Sequence, residues 1–153
     1  MKELKVSLPV TMFPPGYTCD GEDISPPVMV NGVDNTVSKS LALIVDDPDA
    51  PGGKGFVHWL MWDVELVSII PEKIPKEPVI TFPVSAVQGT NSFRKIGYSG
   101  PCPPRGQEHR YFFKLYGLDT MLNLAPGSGK EKLVQAMQGH VVQYGEAMAR
   151  YGH

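Results

Sequence analysis

Apolar and polar positions alternate near the start of the chain, where Leu4, Val6, Leu8 and Val10 are interleaved with Lys5, Ser7 and Pro9. A period of two predicts a half-buried strand, and the proline places it at a sheet edge, where no ladder hydrogen bond is lost. Residues 13–32 lose both periodicities and carry four prolines and three glycines, so they are predicted to run over the surface as turns. Residues 40–45, SLALIV, form a continuous apolar run, as expected of a central strand covered on both faces, and DDPDAPGGKG closes it as a loop. Alternation resumes in Phe56–Val64, placing Phe56, His58, Leu60 and Trp62 on one face and Val57, Trp59, Met61 and Asp63 on the other. Residues 110–118 predict another strand with Tyr111, Phe113 and Leu115 on one face, which His109 shares.

Between these strands, residues 65–108 are proline-rich and read as irregular connections with short strands such as 79–82. The stretch is longer than an idle loop usually is, which points to function within it. Only the end of the chain reads as helical. Ser128 and Glu131 have capping-box spacing, and Leu133, Met137, Val141, Tyr144, Met148 and Tyr151 follow at steps of three and four. Gly139 predicts a break there into two helices. Strands followed by helices predict one mainly β domain over residues 1–153, an antiparallel β-sandwich with one or two C-terminal helices.

Composition narrows the function classes. A formal net charge of −2 gives no electrostatic footprint for nucleic acid or an anionic membrane. The first residues lack the apolar run of a secretory signal, and the longest aliphatic run, residues 41–45, is far short of the roughly 20 residues needed to span a bilayer. Cys19 and Cys102 lie far apart without a CxxC spacing and are read as buried thiols, with a disulfide as the lesser alternative. Together these features predict a soluble cytoplasmic protein with no stable membrane insertion.

Three segments concentrate chemistry: DDPDAP at 46–51, HW at 58–59 and GYSGPCPPRGQEHRY at 97–111. Pro48 and Pro51 restrict the backbone around Asp47 and Asp49, holding both carboxylates as an acidic lip. His109 and Tyr111, at i and i+2 on a strand, project to one side, and strand pairing can bring His58 to them. The Gly100 and Pro101 loop lets backbone N–H groups approach a ligand, while Trp59, Trp62 and Tyr98 are candidate walls as well as candidate core. Two imidazoles and a phenol offer donors to a phosphate, and the aspartates can orient an imidazole or receive an ammonium. No metal-ligand spacing such as HExxH and no GxSxG elbow occurs, so neither a cofactor, a metal nor a catalytic residue is expected. A metal-assisted hydrolase using His58, His109 and Asp47 or Asp49 is the weaker alternative.

In this order the segments YTCDGEDISPPV, SLALIVDDPDAP, FVHWLMWDV, GYSGPCPPRG and HRYFFKLYGLD resemble the phosphatidylethanolamine-binding protein family, in its bacterial and archaeal, Raf kinase inhibitor-like branch. The resemblance implies a Greek-key β-sandwich and a small anion pocket formed by Asp47, Asp49, His58, His109 and Tyr111, rimmed by residues 100–104. It also implies a cis peptide between Ala50 and Pro51. Phosphate or a phosphorylated small molecule is the implied ligand, a homodimer the implied assembly, and inhibition of a serine protease or kinase through a surface loop the alternative role. Ser92 stands where many relatives have aspartate.

Overall fold

The computed structural model describes residues 2–153. Its elements are β1 (Lys2–Glu3), β2 (Lys5–Ser7), β3 (Val28–Asn31), β4 (Ser40–Asp47), β5 (Phe56–Val64), β6 (Ile69–Ile70), β7 (Val79–Ile80), β8 (Ala86–Gln88), β9 (Glu108–Leu118), α1 (Lys130–Met137) and β10 (Val141–Gly152). A seven-stranded sheet has the order β1-β10-β9-β4-β5-β8-β7, and β2-β3-β6 form a smaller one. All pairs are antiparallel except β1 with β10. After β4, β5 and β8, the chain returns to lay β9 beside β4, which is the Greek-key connection.

The β4 strand is buried along its whole length because it has a core on each face. Leu41, Leu43 and Val45 meet Phe13, Val28, Val30 and Ile70 between the sheets. Ala42 and Ile44 turn outward and pack with Leu133 and Met137 of α1. The continuous apolar run is thus a strand in the middle layer of three, as its lack of alternation predicts.

Of the one or two C-terminal helices predicted, one is present and the second is corrected. Within residues 128–153 only α1 is helical, its N-cap is Gly129 with no side-chain cap, and residues 141–152 form a strand instead of a second helix. Gly139 adopts φ +82°, which ends the helical turn. Beyond it the buried positions are Gln143, Gly145, Ala149 and Tyr151, on a period of two. The inward residues Gly145 and Ala149 are too small to register as an apolar stripe. Gly145 is required by close approach, since a Cβ there would fall 2.7 Å from the carbonyl carbon of Leu4.

The cysteine prediction is corrected as well. Cys19 and Cys102 are both exposed and are joined in a disulfide, with Cα atoms 5.5 Å apart. The cysteines therefore lend no weight to a reducing compartment. Among the described residues no helix is long and apolar enough to cross a membrane. The Ala50–Pro51 peptide is trans, and the cis peptide among the described residues is Phe82–Pro83.

Candidate functional site

Antiparallel pairing sets the end of β4 beside the starts of both its neighbours, so Asp47, His58 and His109 arrive at one end of the large sheet. Alternation from Leu43 and Val45 carries Asp47 inward and Asp46 outward. The same rule carries His109 and Tyr111 inward with Phe113 and Leu115. On β5 simple alternation fails. Val45 pairs with Trp59 but Asp46 pairs with Val57, leaving His58 as the extra residue of a β-bulge. The bulge re-aims His58 to the side that Trp59 and Met61 occupy, away from Leu60 and Trp62. The predicted grouping of His58 with Leu60 and Trp62 is therefore corrected.

The inward side chains border a cavity of about 170 Å³, lined by Asp47, Ala50, Pro51, Phe56, His58, Phe93, Cys102, Pro103, Pro104, His109 and Tyr111. His109 Nδ1 lies 2.6 Å from Asp47 Oδ2, and the two side chains are buried. Its other nitrogen, Nε2, lies 2.8 Å from Gln107 Oε1. His58 Nδ1 lies 2.7 Å from the Ser99 carbonyl oxygen, an acceptor only, so Nδ1 carries a proton and donates it there. Burial pushes the His58 pKa down, against the Ser99 carbonyl and the Asp47 charge, which favour the cation. The ring is therefore neutral at pH 7, and its Nε2 is an acceptor. The expectation that both imidazoles present N–H donors to a ligand is corrected: His109 has a polar partner at each nitrogen, and His58 donates to Ser99.

Tyr111 differs from both. Its ring meets the His58 ring edge-on, with centroids 5.2 Å apart. Burial, and then the charge of Asp47, push the phenol pKa up, so it remains protonated. Its hydroxyl is buried and has no hydrogen-bond partner among the described residues.

Four predicted site residues lie elsewhere. Asp49 turns to the outer face, where Arg110 donates to it through Nε at 3.0 Å and Nη2 at 2.8 Å, and through its backbone N–H at 2.9 Å. These bonds, the guanidinium first, hold its carboxyl down to about 2. Trp59 is fully buried between the sheets and donates to Gln88 Oε1 at 2.7 Å. Gly100 donates its N–H to Asp23 Oδ1 at 2.7 Å, and a Cβ there would fall 2.6 Å from the same atom, so close packing rather than anion binding requires the glycine. Pro101 accepts from the Cys19 N–H at 3.2 Å. The rim is thus formed by Cys102, Pro103 and Pro104, with Pro51 opposite. Tyr98 and Trp62 belong to the two cores.

Sequence reasoning misses Phe56 as a wall, together with Phe93 and Gln107. Phe93 stacks edge-on against Phe56 with centroids 4.7 Å apart, and Asn91 Oδ1 holds its backbone N–H at 2.9 Å. No periodicity marks Phe93, whereas Gln107 stands two residues before His109 and was findable by that spacing. Ser92 resolves its own departure, since its Oγ accepts the Val57 N–H at 2.9 Å beside the bulge.

A wider groove of about 600 Å³ lies on the outer face, but Asp46 there is paired with Lys114 and Lys130, so its charges largely satisfy one another. Among the described residues the one grouping of three metal-type ligands is Cys19, Asp20 and His153. The Cys19 sulfur is already in the disulfide. Two histidines and an aspartate around the cavity are not gathered as a ligand set.

The family described as phosphatidylethanolamine-binding protein matches residues 5–152. A UPF0098 protein of Pyrococcus horikoshii is 50% identical over 97% of this chain and 78% of its own. A crystal structure described as a homologue of that family from Chlamydia trachomatis superposes with a TM-score of 0.86 at 34% identity, covering 100% of this chain and 99% of its own. Escherichia coli YbcL, described as a new member of the mammalian family, gives 0.87 at 27% identity and 98% coverage of both chains.

Proposed function

The chain belongs to the phosphatidylethanolamine-binding protein family, and from that membership we propose that it is a binding protein whose cavity receives a phosphoryl group, as inorganic phosphate or a small phosphate monoester. One observation carries this reading: the Tyr111 hydroxyl is buried at the cavity without a partner. An unsatisfied buried hydroxyl costs about 1–3 kcal/mol, which a ligand oxygen relieves on binding. The other buried orphan among the described residues, Trp62 Nε1, sits in the outer core with Leu60 and Leu118 and borders no part of this cavity. At about 170 Å³ the space is smaller than the roughly 300–1,000 Å³ of drug-sized sites, which suits a head group. Phe56, Phe93 and the prolines limit water and strengthen each polar contact inside. Asp47 acts through His109, fixing which ring nitrogen faces the ligand.

Tyr111→Phe tests the reading directly. Calorimetric titration is expected to show about tenfold weaker binding of inorganic phosphate. The unliganded variant should be as stable as the parent or up to about 1 kcal/mol more stable, because a buried orphan is removed. Equal affinity in parent and variant would remove the proposed contact. Comparing inorganic phosphate, O-phosphoethanolamine and phosphatidylethanolamine vesicles separates a free ligand from a lipid head group.

His58 adds a pH signature. A neutral Nε2 accepts a hydrogen bond, so a bound phosphoryl oxygen needs a proton between them, on either partner. Binding of a fully deprotonated phosphoryl group is then expected to take up about one proton and to weaken as pH rises, from a point below the ordinary imidazole value because burial has already lowered the free ring's pKa. Without ligand the sign is opposite. The unfolded chain protonates His58 more readily than the folded one, so the His58 contribution to stability is complete above about 6.5 and falls as pH drops below it. Titration in two buffers of different ionisation heat measures the uptake, and His58→Gln should abolish it.

A further inference from the structure

The geometry points to Gln107 as a built-in competitor for the phosphoryl oxygen at His109, a role that rests on the cavity's being the binding site. Asp47 occupies Nδ1 of His109 at 2.6 Å, so Nε2 is the one ring nitrogen left for a ligand. Gln107 Oε1 stands at that nitrogen, 2.8 Å away. Either orientation of the amide fills the position, as acceptor to an Nε2–H or as donor to a bare Nε2. Gln107 and His109 are at i and i+2, so their side chains lean to the same side of the chain. Tyr111, the next residue in that series, keeps its hydroxyl free. The series therefore reads as one shielded position and one open position beside the same cavity.

The shield is removable. Gln107 is exposed, in the turn before β9 where its backbone N–H is held by the Pro104 carbonyl oxygen at 3.1 Å. Swinging the carboxamide into water breaks no core contact and exposes Nε2 to an incoming oxygen. A ligand therefore binds only the fraction of molecules with the amide displaced, and its apparent affinity is lowered by that fraction. This makes Gln107 a determinant of affinity and of ligand strength: a weak acceptor fails to displace the amide, whereas a charge-bearing phosphoryl oxygen succeeds because charge-assisted hydrogen bonds are the stronger.

The test is calorimetric titration of inorganic phosphate and O-phosphoethanolamine into the parent, Gln107→Ala and Gln107→Glu, with thermal unfolding of each protein alone and saturated with phosphate. Gln107→Ala is expected to bind both ligands about 3- to 10-fold more tightly, the worth of one hydrogen bond no longer displaced. Gln107→Glu, which sets a carboxylate at the same nitrogen, should bind at least about tenfold more weakly. The displaced bond stabilises the unliganded parent, so Gln107→Ala alone should unfold slightly below it, and the gap should close when phosphate saturates both proteins, which separates competition from a fold effect. Equal affinity in parent and Gln107→Ala overturns the competitor role while leaving the site intact. Weaker binding by Gln107→Ala also overturns it, since Gln107 would then be a ligand. Absence of saturable binding in all three proteins overturns the phosphoryl site itself.

Discussion

Asp47→Ala is expected to lower unfolding free energy by about 2–4 kcal/mol and to weaken phosphate binding by at least about a hundredfold. The Asp47 and His109 side chains are each 4% exposed, so water cannot replace the lost partner. The carboxylate has two duties. Its Oδ2 meets His109 Nδ1 at 2.6 Å, and its Oδ1 accepts the Asp49 N–H at 2.8 Å, which closes the turn leading to Pro51. Truncation leaves a buried imidazole nitrogen unpaired, frees the ring to rotate, and loosens the Pro51 wall. Asp47→Asn retains a single carbonyl oxygen and should lose about half as much stability. Urea unfolding of both variants, with phosphate titration under conditions where far-ultraviolet circular dichroism shows them folded, separates the effects. Phosphate affinity within about threefold of the parent in folded Asp47→Ala would confine Asp47 to holding the turn.

The parts of the site that were legible in the sequence are those where strict alternation governs. It runs through β9, so His109 and Tyr111 fall on the inward face with Phe113 and Leu115, whereas β4 is apolar on both faces and its sequence does not say which way Asp47 turns. His58 reaches the same cavity for a different reason. The bulge at the start of β5 adds one residue against β4, and no single-strand pattern announces a bulge, which is a property of the pair. Without the bulge, His58 would share the face of Leu60 and Trp62, in the outer core.

Asp49 is not resolved by the sequence because Pro48 and Pro51 hold both carboxylates in one turn without fixing which way each points, and past Asp47 the chain has already turned. The nearest strong donor is Arg110, whose backbone N–H lies beyond the last β4 pairing. Residues 141–152 read as helix because Val141, Tyr144, Met148 and Tyr151 fall at helical steps, whereas the residues facing Leu4 include the glycine that lets β1 approach. Large side chains carry the apolar signal in a sequence, but in a tightly packed sheet the small residues can be the ones that mark the inward face. Gln107 shows the reverse case. Its spacing to His109 is plain, but a polar residue in a glycine turn looks like ordinary surface until a bond to the ring gives it a role.

Removing the disulfide through Cys19→Ser with Cys102→Ser should lower unfolding free energy by about 2–4 kcal/mol while changing phosphate affinity less than about threefold. The stability loss follows from the 83-residue separation of the cysteines, since a long loop gives the unfolded chain much freedom to regain. The affinity follows from what else fastens the rim. The Cys19 N–H is held by Pro101, the Gly100 N–H by Asp23, and the Tyr98 hydroxyl donates to the Tyr17 carbonyl oxygen at 2.6 Å. The His153 ring spans Asp20 Oδ2 at 2.6 Å and the Pro103 carbonyl oxygen at 2.5 Å, while Tyr151 hydrogen-bonds the same carboxylate. These ties act on the folded state, and the disulfide acts mainly on the unfolded one. Global stability and local rim geometry should therefore separate in this variant. Guanidinium unfolding and phosphate titration on one preparation measure both. Loss of binding in a protein that remains folded would mean that the disulfide, and not the hydrogen bonds around it, sets the position of Pro103 and Pro104.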